Sequence, residues 1–478
     1  MLKKTNNQYK GGQYETFTKS AWISIGGVLC ILLSGILIFK IDVILLLILS
    51  MIYLAIVGKT QGMALNDFIQ GMKDGCSQAF IGLLFFLLIG ALIGVWMQSG
   101  TVPALVYYGL DILNPRYFLV SSFVICGIVS TVIGTSWGTV GTVGIAIMGI
   151  ATASGIQIPL PVIAGSIVSG SWFGDKMSPV SDSTVLTATA CGTDIYKHIR
   201  SMCYTTIPAY LISLLLFFFL NQYYAQDVVL NQQAIQPLKD TLNELYQINI
   251  WVLIPTVLLV IMCILKMDAI VSLLSAISAG VLVSIFVQKN TINLAFDAVM
   301  NGVSVDTPVE AVNILVNRGG IYSMMPTFLL GFMALCLGGA LEKTQALHII
   351  LKNITQKTQS VFLLVLTTMV TCIMGNAVFG DTYLTIVLNA NLYRSTYEEK
   401  GLDTSMLSRT VEEATTMSTP LIPWTAASAF VVGALGISTI EYLPFAFLNL
   451  VTPVVSLVFA LLGIGIIRKI PLNKVGNK

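Results

Sequence analysis

Apolar runs long enough to cross a lipid bilayer follow one another along almost the whole chain. About 20 apolar residues span the hydrocarbon layer as a helix, and a helix satisfies its own backbone polar groups there. Hydrophobic residues make up 55% of the 478-residue chain and charged residues 10%, against about 25% charged in a typical soluble domain. The sequence therefore predicts an all-α polytopic membrane protein. The predicted spans occupy residues 22–39, 43–57, 79–97, 117–134, 202–220, 250–265, 269–287, 322–341, 360–376 and 442–467.

Polar segments divide these spans into two halves. Residues 1–20 form an N-terminal tail, residues 221–249 a central loop and residues 468–478 a C-terminal tail, which leaves 21–220 and 250–467 as the two membrane regions. Lys and Arg are in excess on the cytoplasmic side of membrane proteins. The basic residues of both tails therefore predict cytoplasmic termini, and the acidic central loop is expected outside. With broken helices included, we expect about 10–12 transmembrane segments.

The two halves resemble each other. Each opens with two spans joined by a Lys-x-Asp turn, at 40–42 and at 266–268. A spacing of 241 residues separates Gly90 from Gly331, Gly134 from Gly375, Pro179 from Pro420, and Gly192 from Gly433. With both termini inside and the central loop outside, each half crosses the membrane an odd number of times. The halves are therefore predicted to be inverted repeats, which are typical of secondary transporters with substrate sites near the midplane.

Two segments at this spacing contain prolines and hydroxyls between apolar runs. They are GSWFGDKMSPVSDST at 170–184 and MSTPLIPWT at 417–425. Proline interrupts a helix and frees backbone carbonyls, so we expect broken or re-entrant helices here. A charged residue at membrane depth costs about 2.5–3.5 kcal/mol on insertion scales, which favours a functional role. An ordinary water-exposed loop is the alternative interpretation of 170–184.

The oxygen atoms of these segments predict a cation site. Sodium prefers carboxylate, hydroxyl and carbonyl ligands, and a poorly solvated carboxylate holds either a proton or a cation. Asp182 is the first choice for this carboxylate, because Lys176 can form an ion pair with the neighbouring Asp175 instead. The predicted Na⁺ ligands are Asp182, Ser178 and Ser418. The predicted ion-binding residues are Asp175, Ser178, Ser181, Asp182, Ser183, Thr184, Asn376, Asp381, Thr382, Ser418, Thr419 and Thr425.

A second rank of candidates surrounds this set. At the 241-residue spacing Asp182 corresponds to Pro423, so the proton-linked step is placed on Asp182, and the second segment supplies supporting hydroxyls. A solvated helix face is the alternative for the two glutamates of the second rank. A polar turn at a helix end is the alternative for Asn376 and Asp381. The second-rank residues are Lys176, Thr135, Ser136, Glu412 and Glu413.

The same segments resemble the NhaC family of sodium/proton antiporters. The similarity rests on 170–184, on GTSWGT at 134–139 and on TMSTPLIPW at 416–424, and it extends from about residue 20 to about residue 467. The resemblance implies a plasma-membrane antiporter that exchanges Na⁺ for H⁺, with two inverted repeats and re-entrant hairpins, often as a homodimer. The family also contains exchangers that couple Na⁺ and H⁺ to malate and lactate, so a hydroxy-acid exchanger is the alternative.

Other classes of protein are disfavoured by the motifs. The sequence contains no G-x-S-x-G run at 170–174 and no Walker A run, and its eight cysteines form no C-x-x-C pair. We therefore expect neither an enzyme nor a cofactor or nucleic-acid partner. A passive channel is disfavoured by the paired broken segments, and an intramembrane hydrolase by the missing nucleophile and base.

Overall fold

Helices make up most of the described structure, and the described residues include no β-strand. This computed structural model confirms the predicted all-α class. Residues 1–10 and 470–478 of the predicted tails, and part of the predicted central loop, lie outside the described residues. The structure describes residues 11–469 apart from 79, 113–114, 154–155, 180, 225–231, 266, 318, 345 and 347–359.

The first half of the chain ends with the 30-residue helix α11, which follows the ten-residue helix α10. A π-helical turn at Val140–Gly144 joins α7 to α8. The helices of this half are α1 (Gly11–Ser34), α2 (Val43–Thr60), α3 (Leu65–Gln78), α4 (Phe80–Gln98), α5 (Thr101–Ile112), α6 (Phe118–Ile133), α7 (Ser136–Thr139), α8 (Ile145–Ala153), α9 (Leu160–Met177), α10 (Asp182–Cys191) and α11 (Ile195–Tyr224).

The second half repeats much of this order of long and short helices. Short 3₁₀ turns precede α13 and α17 and follow α20 and α22. The helices are α12 (Gln232–Leu245), α13 (Ile254–Ile264), α14 (Ala269–Phe286), α15 (Ile292–Asn301), α16 (Glu310–Val316), α17 (Met325–Lys343), α18 (Val361–Phe379), α19 (Thr382–Glu399), α20 (Thr404–Ser418), α21 (Ala426–Leu435), α22 (Thr439–Tyr442) and α23 (Phe447–Leu462).

Several of these helices are long and apolar enough to cross a membrane. Four do so singly within the described residues: Val43–Thr60, Ile195–Tyr224, Ile321–Lys343 and Val361–Phe379. Four pairs of helices qualify together but are bent by 46° to 87° at a short break, which brings the number to as many as eight. Shorter apolar helices, such as Phe118–Thr131, accompany them. The protein is therefore a multi-pass membrane protein with broken helices.

The two Lys-x-Asp turns begin helices in the same way. The Asp42 carboxylate accepts a hydrogen bond from the Ile44 backbone N–H at 2.8 Å, and Asp268 accepts one from Ile270 at 2.9 Å. Each aspartate thus caps the second helix of its hairpin, α2 or α14, by satisfying an N–H that has no partner inside the helix. The shared turn of the two halves has one physical cause in both.

Both predicted broken helices are present. The helix α9 ends at Met177 and α10 begins after Ser181, while α20 ends at Ser418 and α21 begins after Thr425. Pro179 and Pro420 lie in the breaks, where they have no N–H to continue the helical ladder. The second α-helix of each pair has ten residues, which is too short to span a bilayer.

In the two halves, several helices end at glycines that the 241-residue spacing does not pair with each other. Gly134 and Gly192 end α6 and α10 with φ of 80° and 70°, a left-handed conformation that favours glycine. In the second half Gly380 and Gly436 end α18 and α21 with φ of 68° and 73°. Gly375 and Gly433, which the 241-residue spacing pairs with Gly134 and Gly192, lie inside helices instead. The inverted relation of the halves stays a prediction.

The helix α3 packs closely along α17. The Cys76 Sγ lies 3.3 Å from the Cys336 Sγ, and the Lys343 Nζ lies 2.7 Å from an Asp74 carboxylate oxygen. The hydrogen bond from Lys343 holds the pKa of the Asp74 carboxyl below its usual range. The polar segment between the second and third predicted spans is thus a helix fixed to the second half of the chain.

Gly174→Ala is expected to destabilise the protein by about 1–3 kcal/mol through overpacking. A Cβ at this position would lie 2.2 Å from the Thr131 backbone nitrogen, because α6 and α9 touch here through their backbones. The measurement is thermal unfolding of the purified protein in detergent. Gly26→Ala is the matched control, since a Cβ there meets nothing within 4 Å. Equal unfolding temperatures for both variants would contradict this close contact.

Candidate ion-binding site

The Asp175 carboxylate lies at the last turn of α9, beside the first break, and is only 7% exposed. One of its oxygens, Oδ2, accepts a hydrogen bond from the Ser136 hydroxyl at 2.7 Å. The other, Oδ1, accepts one from the Ser181 hydroxyl at 2.5 Å. Ser136 begins α7 and Ser181 precedes α10, so this carboxylate joins three chain segments.

The local fold of the break presents these oxygens. The Thr184 hydroxyl donates to the backbone carbonyls of Asp175 and Lys176, each at 3.0 Å. These carbonyls belong to the last turn of α9, where no further helical N–H follows. Ser178 is fully buried, and its hydroxyl has no hydrogen-bond partner among the described residues. The break is therefore a polar, water-poor segment held by side chains of α10.

The Glu412 carboxylate lies in α20 and is fully buried. Its Oε1 accepts hydrogen bonds from Thr416 at 2.8 Å and from Ser183 at 3.2 Å. Its Oε2 accepts a hydrogen bond from Thr187. Two of these donors come from α10, so Glu412 connects the broken helix of the second half with that of the first. A solvated face for this residue, one of the sequence alternatives, is wrong.

Lys176 and Glu413 form a buried ion pair. Their Nζ and Oε1 atoms are 3.4 Å apart, and both side chains are fully buried. The Thr205 hydroxyl from α11 also donates to Glu413. The structure therefore directs Lys176 away from Asp175 and toward α20, whereas the sequence left a pair with Asp175 open. The solvated interpretation of Glu413 is also wrong, because a charged group buried at this depth needs a partner.

Asp182, the first choice from the sequence, has different surroundings. It is exposed at the first residue of α10. Its Oδ2 accepts a hydrogen bond from the Tyr383 hydroxyl at 2.5 Å, and its Oδ1 accepts one from the Ser183 backbone N–H at 2.9 Å. No hydrogen bond of the described residues joins Asp182 to Ser178 or Ser418, the other predicted Na⁺ ligands. Asp182 is the first residue of α10, whereas Pro423 lies in the break before α21, which begins at Ala426.

A second polar cluster surrounds the break between α20 and α21. The Asn376 amide donates to the Thr415 carbonyl, the Ser418 hydroxyl and the Thr419 hydroxyl at 2.7–3.0 Å. Thr382 and Thr419 share a hydrogen bond of 2.6 Å. The structure thus brings these predicted residues together, and it places them around the second break.

The remaining candidates in the second half cap helices. Thr425 donates to the Thr419 carbonyl at 2.6 Å and accepts from the Ser428 N–H. Asp381 caps α19 by accepting from the Leu384 N–H at 2.9 Å. Thr135 caps α7 from the equivalent position in the first half, next to Ser136. These residues have structural partners, and their role as ion ligands stays a prediction.

Three hydroxyl donors of the buried carboxylates were not among the sequence candidates. They are Thr187 and Thr416, which bind Glu412, and Thr205, which binds Glu413. Thr416 follows Glu412 by four residues, so the two face each other on one helix. Thr187 follows Ser183 by four residues in the same way. This hydroxyl spacing was a usable signal, whereas nothing local in the sequence points to Thr205.

Comparisons with known proteins place the whole chain among sodium/proton antiporters. The model of the Na⁺/H⁺ antiporter family matches residues 14–194 and 170–464. The chain is 36% identical over 444 residues to the Na⁺/H⁺ antiporter NhaC of Alkalihalophilus pseudofirmus, covering 92% of this chain and 95% of the relative.

Two further relatives carry different names. The malate-2H⁺/Na⁺-lactate antiporter of Bacillus subtilis is 34% identical, with 92% of this chain and 94% of the relative covered. The arginine/ornithine antiporter ArcD of Halobacterium salinarum is 31% identical, with 93% and 91% covered. All three relatives are antiporters. The resemblance to the NhaC family is thus confirmed, and the chain belongs to the Na⁺/H⁺ antiporter family.

Proposed function

We propose that this protein exchanges Na⁺ for H⁺ across the plasma membrane, and that Asp175 is the carboxylate that the two ions use in turn. The supporting observation is the burial of Asp175 between two hydroxyls, with the neighbouring Lys176 committed to Glu413. A buried carboxylate without a fixed cationic partner needs a mobile cation or a proton to neutralise it.

The ligands around Asp175 suit a sodium ion. Sodium is a hard cation, which binds carboxylate, hydroxyl and carbonyl oxygens. Ser136 and Ser181 already lie within hydrogen-bond distance of the carboxylate. Ser178 adds a buried hydroxyl without a partner among the described residues. When Na⁺ occupies these oxygens, the carboxylate is ionised, and when the proton returns, the attraction for Na⁺ is lost. That competition couples the two ions.

The pairing of Lys176 argues against an organic anion as the main substrate. An ammonium group recognises a substrate carboxylate when no protein carboxylate occupies it. Lys176, the basic residue beside the first break, is paired with Glu413 at 3.4 Å. The name of the Bacillus subtilis relative keeps malate and lactate exchange as the outcome to be tested against simple cation exchange.

The test is ion exchange by the purified protein in liposomes. An outward Na⁺ gradient drives Na⁺ out of the liposomes and H⁺ into them. We therefore expect the interior to acidify, as reported by a trapped pH dye, without any organic acid present. Adding malate outside and lactate inside should not change the rate. Proton movement that appears only when both acids are present would overturn simple Na⁺/H⁺ exchange in favour of hydroxy-acid exchange. Liposomes without protein are the control.

A further inference from the structure

A continuous series of oxygen atoms connects the two buried carboxylates. The Asp175 Oδ1 is 2.5 Å from the Ser181 Oγ, which is 3.1 Å from the Ser183 Oγ, which is 3.2 Å from the Glu412 Oε1. All four side chains are at most 7% exposed. The series crosses from the broken helix of the first half to that of the second half, without a backbone group in between.

The series of oxygen atoms has one contact more than the two serines can fill with their hydroxyl hydrogens. Its three contacts each need one hydrogen atom, and the two serines supply two. The other hydroxyls on the carboxylates occupy other lone pairs: Ser136 on the far oxygen of Asp175, and Thr187 and Thr416 on Glu412. If both carboxylates were ionised, each serine would donate to its own carboxylate, and the contact between the serines would have no hydrogen. One additional proton completes the series.

We propose that Asp175 and Glu412 share a single proton through Ser181 and Ser183, so that the two broken helices bind and release it as one unit. The inference rests on the proposed function, because it identifies where the exchanged proton resides. Glu412 is then a second ion-coupling residue, and the two serines are its connection to Asp175.

Proton transfer along the series balances without any other reactant. The Glu412 Oε1 gives its hydrogen to the Ser183 Oγ, and Ser183 gives its own hydrogen to the Ser181 Oγ. Ser181 then gives its own hydrogen to the Asp175 Oδ1. Both serines end as neutral hydroxyls, and no electron or carbon bond is involved. The proton thus moves between helices while each hydroxyl stays in place.

The charged groups near Asp175 and Glu412 leave these two carboxylates without a fixed cation, which favours retention of a proton. On the α20 side, Lys176 neutralises Glu413, which is the neighbour of Glu412. Among the described residues, no ion pair includes Asp175 or Glu412. Two neighbouring carboxylates in a dry site do not both stay ionised at low cost, so they retain one proton. When Na⁺ replaces this proton, the unit keeps the same charge.

Removing one serine hydroxyl is expected to lower the proton affinity of the pair. In Ser183→Ala and Ser181→Ala, the protonated series loses two of its three hydrogen bonds, whereas the ionised pair loses one of its two. The protonated form therefore loses more, and H⁺ competes with Na⁺ only at lower pH. The pH at which acid reduces Na⁺-driven exchange to half its maximal rate, called here the acid side of the profile, should fall by about one pH unit. Ser183→Thr keeps the hydroxyl and should keep the wild-type profile.

Ser213→Ala is the matched control for loss of a buried hydroxyl. Ser213 is fully buried on α11 and donates to the Ala209 carbonyl, outside the site. Its profile should coincide with that of the wild type. If each serine only stabilises an ionised carboxylate, its removal should move the acid side up instead. An acid side that moves up, or that stays unmoved in both variants, would overturn proton sharing even if Na⁺/H⁺ exchange itself is intact.

Infrared difference spectroscopy of the purified protein tests the sharing without transport. Addition of Na⁺ should remove one protonated-carboxyl band from the wild type. Asp175→Asn and Glu412→Gln should each abolish or shift that same band. Two separate bands, each lost with only one of the variants, would overturn the proposal. If the liposomes show no Na⁺/H⁺ exchange but the shared band is present, the proposed function fails and the shared proton stands.

Discussion

Asp175→Asn is expected to reduce Na⁺-driven proton flux by about a hundredfold while the protein stays folded. The amide has the shape of the carboxylate and still accepts a hydrogen bond, but it binds neither a proton nor Na⁺ with a negative charge. Loss of a charged partner costs about 3 kcal/mol, and 1.4 kcal/mol corresponds to a factor of ten. The measurement is the initial flux in liposomes, normalised to the amount of reconstituted protein.

Asp182→Asn is the informative comparison for this variant. Asp182 is exposed, and its two oxygens accept hydrogen bonds from Tyr383 and from a backbone N–H. An asparagine oxygen keeps one of these two bonds, and water can solvate the exposed amide N–H groups. We therefore expect a smaller loss of flux than in Asp175→Asn. A silent Asp175→Asn variant together with an inactive Asp182→Asn variant would restore the sequence-based choice of Asp182 and overturn the assignment to Asp175.

The second large effect is expected from Lys176→Met, which should destabilise the protein by about 3–5 kcal/mol. The substitution removes the cationic partner of the Glu413 carboxylate in a site where both side chains are fully buried. Glu413→Gln should cost a similar amount, because it leaves the lysine charge without its partner. Unfolding in detergent, followed by circular dichroism, measures the loss. The double variant should recover most of the stability, since no unpaired charge remains.

An exposed ion pair serves as the control for these variants. Arg394 and Glu398 are 3.8 Å apart on α19, with side chains 48% and 40% exposed. Glu398→Gln should therefore change stability by only about 0.3–0.5 kcal/mol. If Lys176→Met cost no more than this surface variant, the buried pair would not be a significant contact in the folded protein.

Much of the fold follows from local features of the sequence. The predicted spans at 43–57, 202–220 and 322–341 lie within helices that are long and apolar enough to cross a membrane, and the span at 360–376 begins one residue before such a helix. Asp42 and Asp268 mark helix starts, because their carboxylates bind the first free N–H groups. Pro179 and Pro420 mark the two breaks. Each of these signals acts within a few residues, so a single sequence contains it.

The site depends on contacts between distant residues, which a single sequence does not contain. Lys176 and Glu413 are 237 positions apart, and the serine that binds Glu412 is 229 positions away from it. The choice between Asp175 and Asp182 also depended on packing. Both flank the same break, but one faces α7 and the other lies at the exposed start of α10. The hydropathy of their neighbours is too similar to separate them.

The ion pair between Lys176 and Glu413 also constrains how the protein moves. It links the end of α9 to the middle of α20, and the serines and threonines around Glu412 link α10 to α20. Separating these helices inside the membrane would expose two opposite charges to a medium that does not solvate them. The two broken helices are therefore expected to move together as one rigid body. The helix interfaces that change during a transport cycle must then lie between this body and the other helices, and not within it.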